Sequence, residues 1–271
     1  MSAFLNPHPS LITLVACVTN GGLVAGVTCY TVDENKGLTP VGPLRPIAQP
    51  TDSASPPPGP LVITQDIVFN PSSTSLFVSV RSNGAAPGYV IAYPIEGGKV
   101  STQGIISLTP GITGDFSLNF LSSDSTLLIT NPIPGTDGAA YLNVAPSLQI
   151  TVEKPIVIPG QIAACWVAYS PHAYSAYIID GAQPNITVID TPTGNIRGTI
   201  HYSAAPMTGG IDAAIDRGRL YMLTDAASPK IEVFKLNEHD DADLADNIQS
   251  YDVFSNVGVL PFWMGMAIYP A

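Results

Sequence analysis

Positive charge is scarce in this chain. Ten Lys and Arg stand against twenty-one Asp and Glu in 271 residues, a formal net charge of −11. That balance excludes a nucleic-acid backbone or an anionic membrane surface as the natural partner, because both are held by clusters of cations. Charge of either sign is sparse, at 11% of residues against about 25% in ordinary domains. Cysteine is rarer still. Cys17 and Cys29 fall on neighbouring strands and are close enough in register for a disulfide to be conceivable, while Cys165 stands alone. Buried free thiols acting as small hydrophobes are the default for all three. The four histidines (His8, His172, His201 and His239) do not cluster, and no Cys–His spacing suits zinc. Ser-His-Asp arrangements, GxSxG, HExxH and phosphate loops are missing as well. No metal and no cofactor are expected. No apolar run is long enough to span a bilayer, so membrane insertion is not expected.

What the chain does have is an internal repeat. Asp66–Pro71, Leu76–Val80, Tyr89–Tyr93 and Gly98–Val100 recur in order as Ser117–Phe120, Leu127–Thr130, Ala140–Val144 and Gln149–Val152. A third copy runs Trp166–Tyr169, Ala176–Ile179, Ile186–Asp190 and Asn195–Ile200. A fourth runs Asp212–Ile215, Leu220–Leu223, Ile231–Lys235 and Ile248–Phe254. Four short strands at a period of roughly 44 to 51 residues are the signature of a propeller blade. A fifth copy is divided between the ends: Leu14–Val18, Val27–Tyr30 and Gly37–Pro40 supply three strands, and Met264–Pro270 the first. The expectation is an all-β, five-bladed β-propeller of four-stranded antiparallel blades, its ring closed by the C-terminal strand joining the N-terminal blade. It forms one domain over 1–271, with blades at about 12–46 plus 261–271, 63–111, 112–160, 161–206 and 207–260. Closure of this kind removes the free sheet edge that would template aggregation.

Two segments stand outside the repeat, and a third needs a separate reading. The Pro-rich loop 43–60 joins two blades and is either a cover over a pocket or a stiff spacer. Asn237–Asp246 is an acidic insertion without the glycine and terminal glutamate of a calcium loop, and reads as a solvated turn. Leu11–Val18 is apolar, but no basic residue precedes it and it fills a strand of the repeat, so it reads as a mature strand. Cytoplasmic residence follows, or secretion if a leader has already been removed.

First strands line the channel of a propeller, and the loops before them and between second and third strands form its mouth. Those positions hold Gln65, Asp66, Asp115, Ser117, Trp166, Asp212, Trp263 and Met266, with Arg81 and Asp180 in the turns. Asp66 and Asp212 either cap backbone amides or serve as a general base, with Arg81 as an electrophilic partner. Trp166 and Trp263, the two tryptophans of the chain, either plug the channel or wall a ligand together with Gln65, Asp115, Ser117, Asp180 and Met266.

The stretch from Asp66 to Val80, followed by Gly88-Tyr89-Val90-Ile91-Ala92-Tyr93 and the turn to Val100, resembles the blade of lactonase-type propellers. That family includes 6-phosphogluconolactonase and the fungal 3-carboxymuconate cyclases. The resemblance implies a small-molecule lactonase or cycloisomerase. Family members have seven blades, and their basic and histidine channel residues have no match here. A cyclase that positions a largely apolar substrate, as in secondary metabolism, and a non-catalytic binding propeller are the other readings. The last lacks the repeated identical polar residues that repeated binding sites require.

Overall fold

The computed structural model describes residues 3–6, 14–47, 54–55, 63–202, 209–224, 229–237, 244–253 and 266. No helix occurs among them. The strands build five antiparallel sheets, each with a path of four strands, and the fold class is a five-bladed β-propeller. Blade 1 contains β1 (Ala3–Asn6), β2 (Leu14–Asn20), β3 (Gly26–Asp33), β4 (Gly37–Pro40) and the short β5 (Arg45–Pro46), which pairs with β3. Blade 2 contains β6 (Thr64–Phe69), β7 (Ser75–Val80), β8 (Tyr89–Glu96), β9 (Lys99–Val100) and β10 (Ile105–Leu108). Blade 3 contains β11 (Leu118–Phe120), β12 (Thr126–Thr130), β13 (Ala139–Val144) and β14 (Ile150–Ile156). Blade 4 runs through β15 (Ala164–Ser170), β16 (Ser175–Asp180), β17 (Asn185–Asp190) and β18 (Asn195–His201). Blade 5 comprises β19 (Gly210–Asp216), β20 (Arg219–Thr224), β21 (Lys230–Leu236) and β22 (Ala245–Asp252).

Contacts divide the chain into two compact units. One holds Met1–Ile129 and Ala140–Lys154; the other holds Thr130–Ala139 and Pro155–Ala271. Within the first unit the core is made between blades. Along β7, Leu76, Val78 and Val80 turn to one cluster with Cys17, Val27, Ile67 and Ile91, whereas Phe77 turns to another with Leu118, Leu127 and Leu142. Successive residues of a strand point to opposite faces, so a strand packed on both sides reads as a nearly unbroken apolar run rather than an alternating one. The Leu-Phe-Val-Ser-Val sequence has that form, and every residue of β7 is buried. The core of the second unit gathers Tyr177, Ile179, Val188, Leu220, Met222 and Phe234.

Three expectations are corrected. The position beside β2 reserved for Met264–Pro270 is occupied by β1, with Ala3 opposite Val18 and Asn6 opposite Val15. Pairing a strand with its neighbour in sequence closes a short loop, which costs less entropy than recruiting the far end of the chain. Second, the fourth strand of blade 2 is β10, not Gly98–Val100; Lys99–Val100 only extends the turn after β8. Third, Cys17 and Cys29 are not free thiols. They face each other across β2 and β3 with Cα atoms 4.1 Å apart and form a disulfide. An opposed pair on adjacent antiparallel strands brings the two side chains within reach without moving the backbone. Most of the acidic insertion (238–243), most of the Pro-rich loop and the C-terminal segment apart from Met266 lie outside the described residues.

Candidate functional site

First strands carry the chemistry-bearing residues, and three of them are interrupted at the same place. In β6 the register passes from Thr64 opposite Val80 to Ile67 opposite Val78, which leaves one extra residue in the Gln65–Asp66 stretch. In β15 it passes from Ala164 opposite Asp180 to Trp166 opposite Ile179, with Cys165 extra. In β19 it passes from Gly210 opposite Thr224 to Asp212 opposite Leu223, with Ile211 extra. These are β-bulges. A bulge leaves backbone groups unpaired and re-aims the adjoining side chain.

Aspartate answers the unpaired amides. Asp66 Oδ1 accepts from the amide of Ile67 at 2.8 Å, and Oδ2 accepts from the Leu118 amide and the Ser117 hydroxyl, each at 2.9 Å. Asp212 repeats the pattern: Oδ1 takes the Ala213 amide at 2.7 Å and Oδ2 the Met266 amide at 2.6 Å. In the repeat register Ile67, Leu118 and Ala213 are matching residues; Asp66 clasps its own strand to β11, and Asp212 clasps β19 to the backbone at Met266. A parallel device uses hydroxyls. Ser79 Oγ accepts the Asp66 amide and donates to the Phe116 carbonyl, and Thr130 Oγ1 donates to the Cys165 carbonyl one repeat further on.

The two carboxylates differ in exposure. Asp66 is 2% exposed, and burial pushes its pKa up to about 6 against the lowering effect of its three donors. Asp212 is half-buried, so solvent reaches it. Trp166 is also half-buried and packs on the core of the second unit, and β15 and β19 lie side by side there. These two residues follow bulges at matching points of neighbouring strands.

Asp115 in the first unit is fully buried, with φ of 28°. Thr109 Oγ1 donates to its Oδ1, whereas Oδ2 has no hydrogen-bond partner. Burial pushes its pKa up to about 8, so the group is mainly a neutral acid at pH 7. Gly88 makes room for it: a Cβ there would stand 1.7 Å from Asp115 Oδ2. Gln65 and Ser117 are buried beside Asp66 in sequence and space, and Arg81 is half-buried with Nε 3.4 Å from the Ser82 carbonyl.

Asp180 is an organiser of loops in the second unit. Its Oδ1 accepts the amides of Ala163 and Ala182 at 3.0 and 2.9 Å, and its Oδ2 accepts the Ile162 amide and Gln183 Nε2, each at 2.8 Å. Beside it, between the strands of blade 4 and the 158–161 loop, lies a cavity of about 30 Å³. That holds about two waters and no substrate. Cys165 is a weak nucleophile, because burial pushes its thiol up to about 12.

The structure therefore brings Gln65, Asp66 and Ser117 together in the first unit, with Asp115 held apart by Thr109 and Gly88, and joins Asp212 to Met266 in the second unit, which also holds Trp166 and Asp180. Trp263 lies outside the described residues. Reasoning from the sequence missed Ser79, Thr130 and Gly88. The first two carried a faint signal, a hydroxyl where the matching positions Ile179 and Leu223 are apolar.

No family model matches the chain, and no curated protein matches it in sequence. Solved structures do match in fold. A candidate 6-phosphogluconolactonase of Bacteroides uniformis superposes with a TM-score of 0.62 at 14% identity, over 92% of this chain and 71% of its own. A gluconolactonase of Xanthomonas campestris gives 0.51 at 12% identity, over 78% of this chain and 64% of its own. Saccharomyces cerevisiae Sqt1 gives 0.54 at 15% identity, and here the chain spans only 61% of the matched structure. At such identities the likeness is one of fold, and fold alone does not carry function.

Proposed function

We propose that the chain is a lactonase-type hydrolase acting on a small molecule, with Asp212 as the general base and Trp166 as the wall against which substrate lies. The observation that carries this reading is the half-buried Asp212, placed after a bulge on β19, at the point matching Trp166 after its own bulge on the neighbouring β15. The lactonases among the structural neighbours support the reaction class.

Two amides fix the carboxylate, and a carboxylate oxygen can accept more than one hydrogen bond. Held so, it can take a proton from water as that water adds to the lactone carbonyl carbon. The acyl–oxygen bond then breaks, and the departing alkoxide recovers the proton, leaving a hydroxy acid. Positioning supplies much of such a rate, and a carboxylate base contributes typically 10²- to 10⁴-fold. Asp66 and Asp115 are enclosed and serve the fold in this reading, and Arg81 is given no role.

The test is proton release in a pH-stat with δ- and γ-lactones, corrected for spontaneous opening. Asp212→Asn, which keeps one acceptor oxygen, is expected to lower kcat by at least about 100-fold with little change in Tm. Trp166→Ala is expected to raise KM. An unchanged rate in Asp212→Asn sinks the assignment. Turnover of apolar cyclisation substrates in place of lactones, abolished by Trp166→Ala, would establish the positioning cyclase instead.

A further inference from the structure

All ten basic residues of the chain are described, and five of them belong to the second unit: Arg197, Arg217, Arg219, Lys230 and Lys235. Four are placed at the end of their blades remote from Asp212 and Trp166. Arg217 and Arg219 flank the β19–β20 turn, and Arg219 lies opposite Asp216, four residues or roughly 13 Å of strand from Asp212. Arg217 Nε also stands 3.8 Å from Asp216. Lys235 pairs in register with Arg219 and so shares that end. Arg197 Nη1 donates to Ser175 Oγ at the start of β16, the end of blade 4 opposite to Trp166. Lys230 alone stands at the bulged end, exposed on the third strand of its blade. The same end of these two blades carries the carboxylates of Asp180 and Asp212, next to a tryptophan.

Resting on the lactonase reading above, we infer that the substrate is an electrically neutral lactone and that the site discriminates against phosphorylated ones. A phosphate needs a fork of cations or a nest of free amides. Here the amides nearest the carboxylates, those of Ala213, Met266, Ile162, Ala163 and Ala182, already donate to Asp212 and Asp180. An anionic substrate would meet the carboxylates of Asp180 and Asp212 with Lys230 as the one Lys or Arg of this unit at that end, while the half-buried, apolar indole of Trp166 suits an uncharged ring. Charge also favours turnover. Hydrolysis adds one water across the acyl–oxygen bond, and the hydroxy acid formed loses its proton at neutral pH. The product is thus an anion made in an acidic surrounding, which repels it and hastens release.

The experiment compares an aldonolactone with its 6-phosphate, by pH-stat, at low and high salt. A kcat/KM at least about tenfold greater for the neutral lactone at low salt, the gap narrowing at high salt as repulsion is screened, is the expected result. Equal turnover, or preference for the phosphorylated lactone, overturns the inference and leaves the lactonase reading standing. No turnover of either overturns the lactonase reading and the inference with it.

Discussion

Asp66 and Asp212 sit at matching points of the repeat and make the same two backbone hydrogen bonds, yet they live in different surroundings. In the first unit the Ser117 hydroxyl also donates to the carboxylate and Asp66 is sealed, whereas in the second Asp212 is only half-buried and solvent reaches it. A clasp needed by the fold and a carboxylate available for chemistry thus grow from one local motif. Burial, not residue type, separates them.

The comparison breaks most sharply under truncation. Asp66→Ala strands three buried donors and is expected to destabilise by about 3 kcal/mol, while Asp212→Ala, with solvent at hand, is expected to lose about 1 kcal/mol. Urea midpoints measure both, and equal losses would dissolve the distinction. Next comes pH. Asp115 and Asp66 have folded pKa values near 8 and 6, above the ordinary 3.8. Their protonated forms favour the folded state, so this stability is fully present below about pH 4. It is lost as pH rises to about 6 for Asp66 and about 8 for Asp115. Tm is expected to fall by several degrees between pH 5 and pH 9, and Asp115→Asn to flatten that slope. An unaltered slope in the variant would show that Asp115 is ionised and paired. Gly88→Ala tests the same packing. Its Cβ collides with Asp115 Oδ2, and a loss of about 2 kcal/mol is expected, smaller when Asp115→Gly is combined with it. Smallest is the hydroxyl clasp. Ser79→Ala and Thr130→Val should each lose about 1 kcal/mol, and similarly, because they occupy matching positions in different units.

The strands of blades 3 to 5 were legible because each is a short apolar run closed by turn residues, and the repeat confirms each run against the others. Blade 2 was legible except for its last strand. Ile105–Leu108 carries only two strongly apolar side chains on its exposed face, Ile106 and Leu108, so it lacks the buried pattern that marked the others. Local sequence says nothing about whether β1 or the C-terminus reaches β2 first, since that depends on loop closure. The candidate site was half legible. Position in the repeat picked out Asp66, Trp166 and Asp212, but the bulges beside them arise from pairing between strands and leave no mark in either strand alone. Asp180 looked like a channel residue and is engaged by four donors from two loops. Gly88 drew no notice in the sequence and is the space into which Asp115 fits.

The sequence by itself determined the blade count, the antiparallel strands and the acidic, cation-poor character, because periodicity and composition are properties of the chain before it folds. Only the tertiary structure decided that Cys17 meets Cys29, that Asp66 is enclosed while Asp212 is open, and that Asp115 is driven toward its neutral form. Each of these depends on what a side chain faces across strands distant in sequence, and desolvation and hydrogen bonding act only once those strands have met.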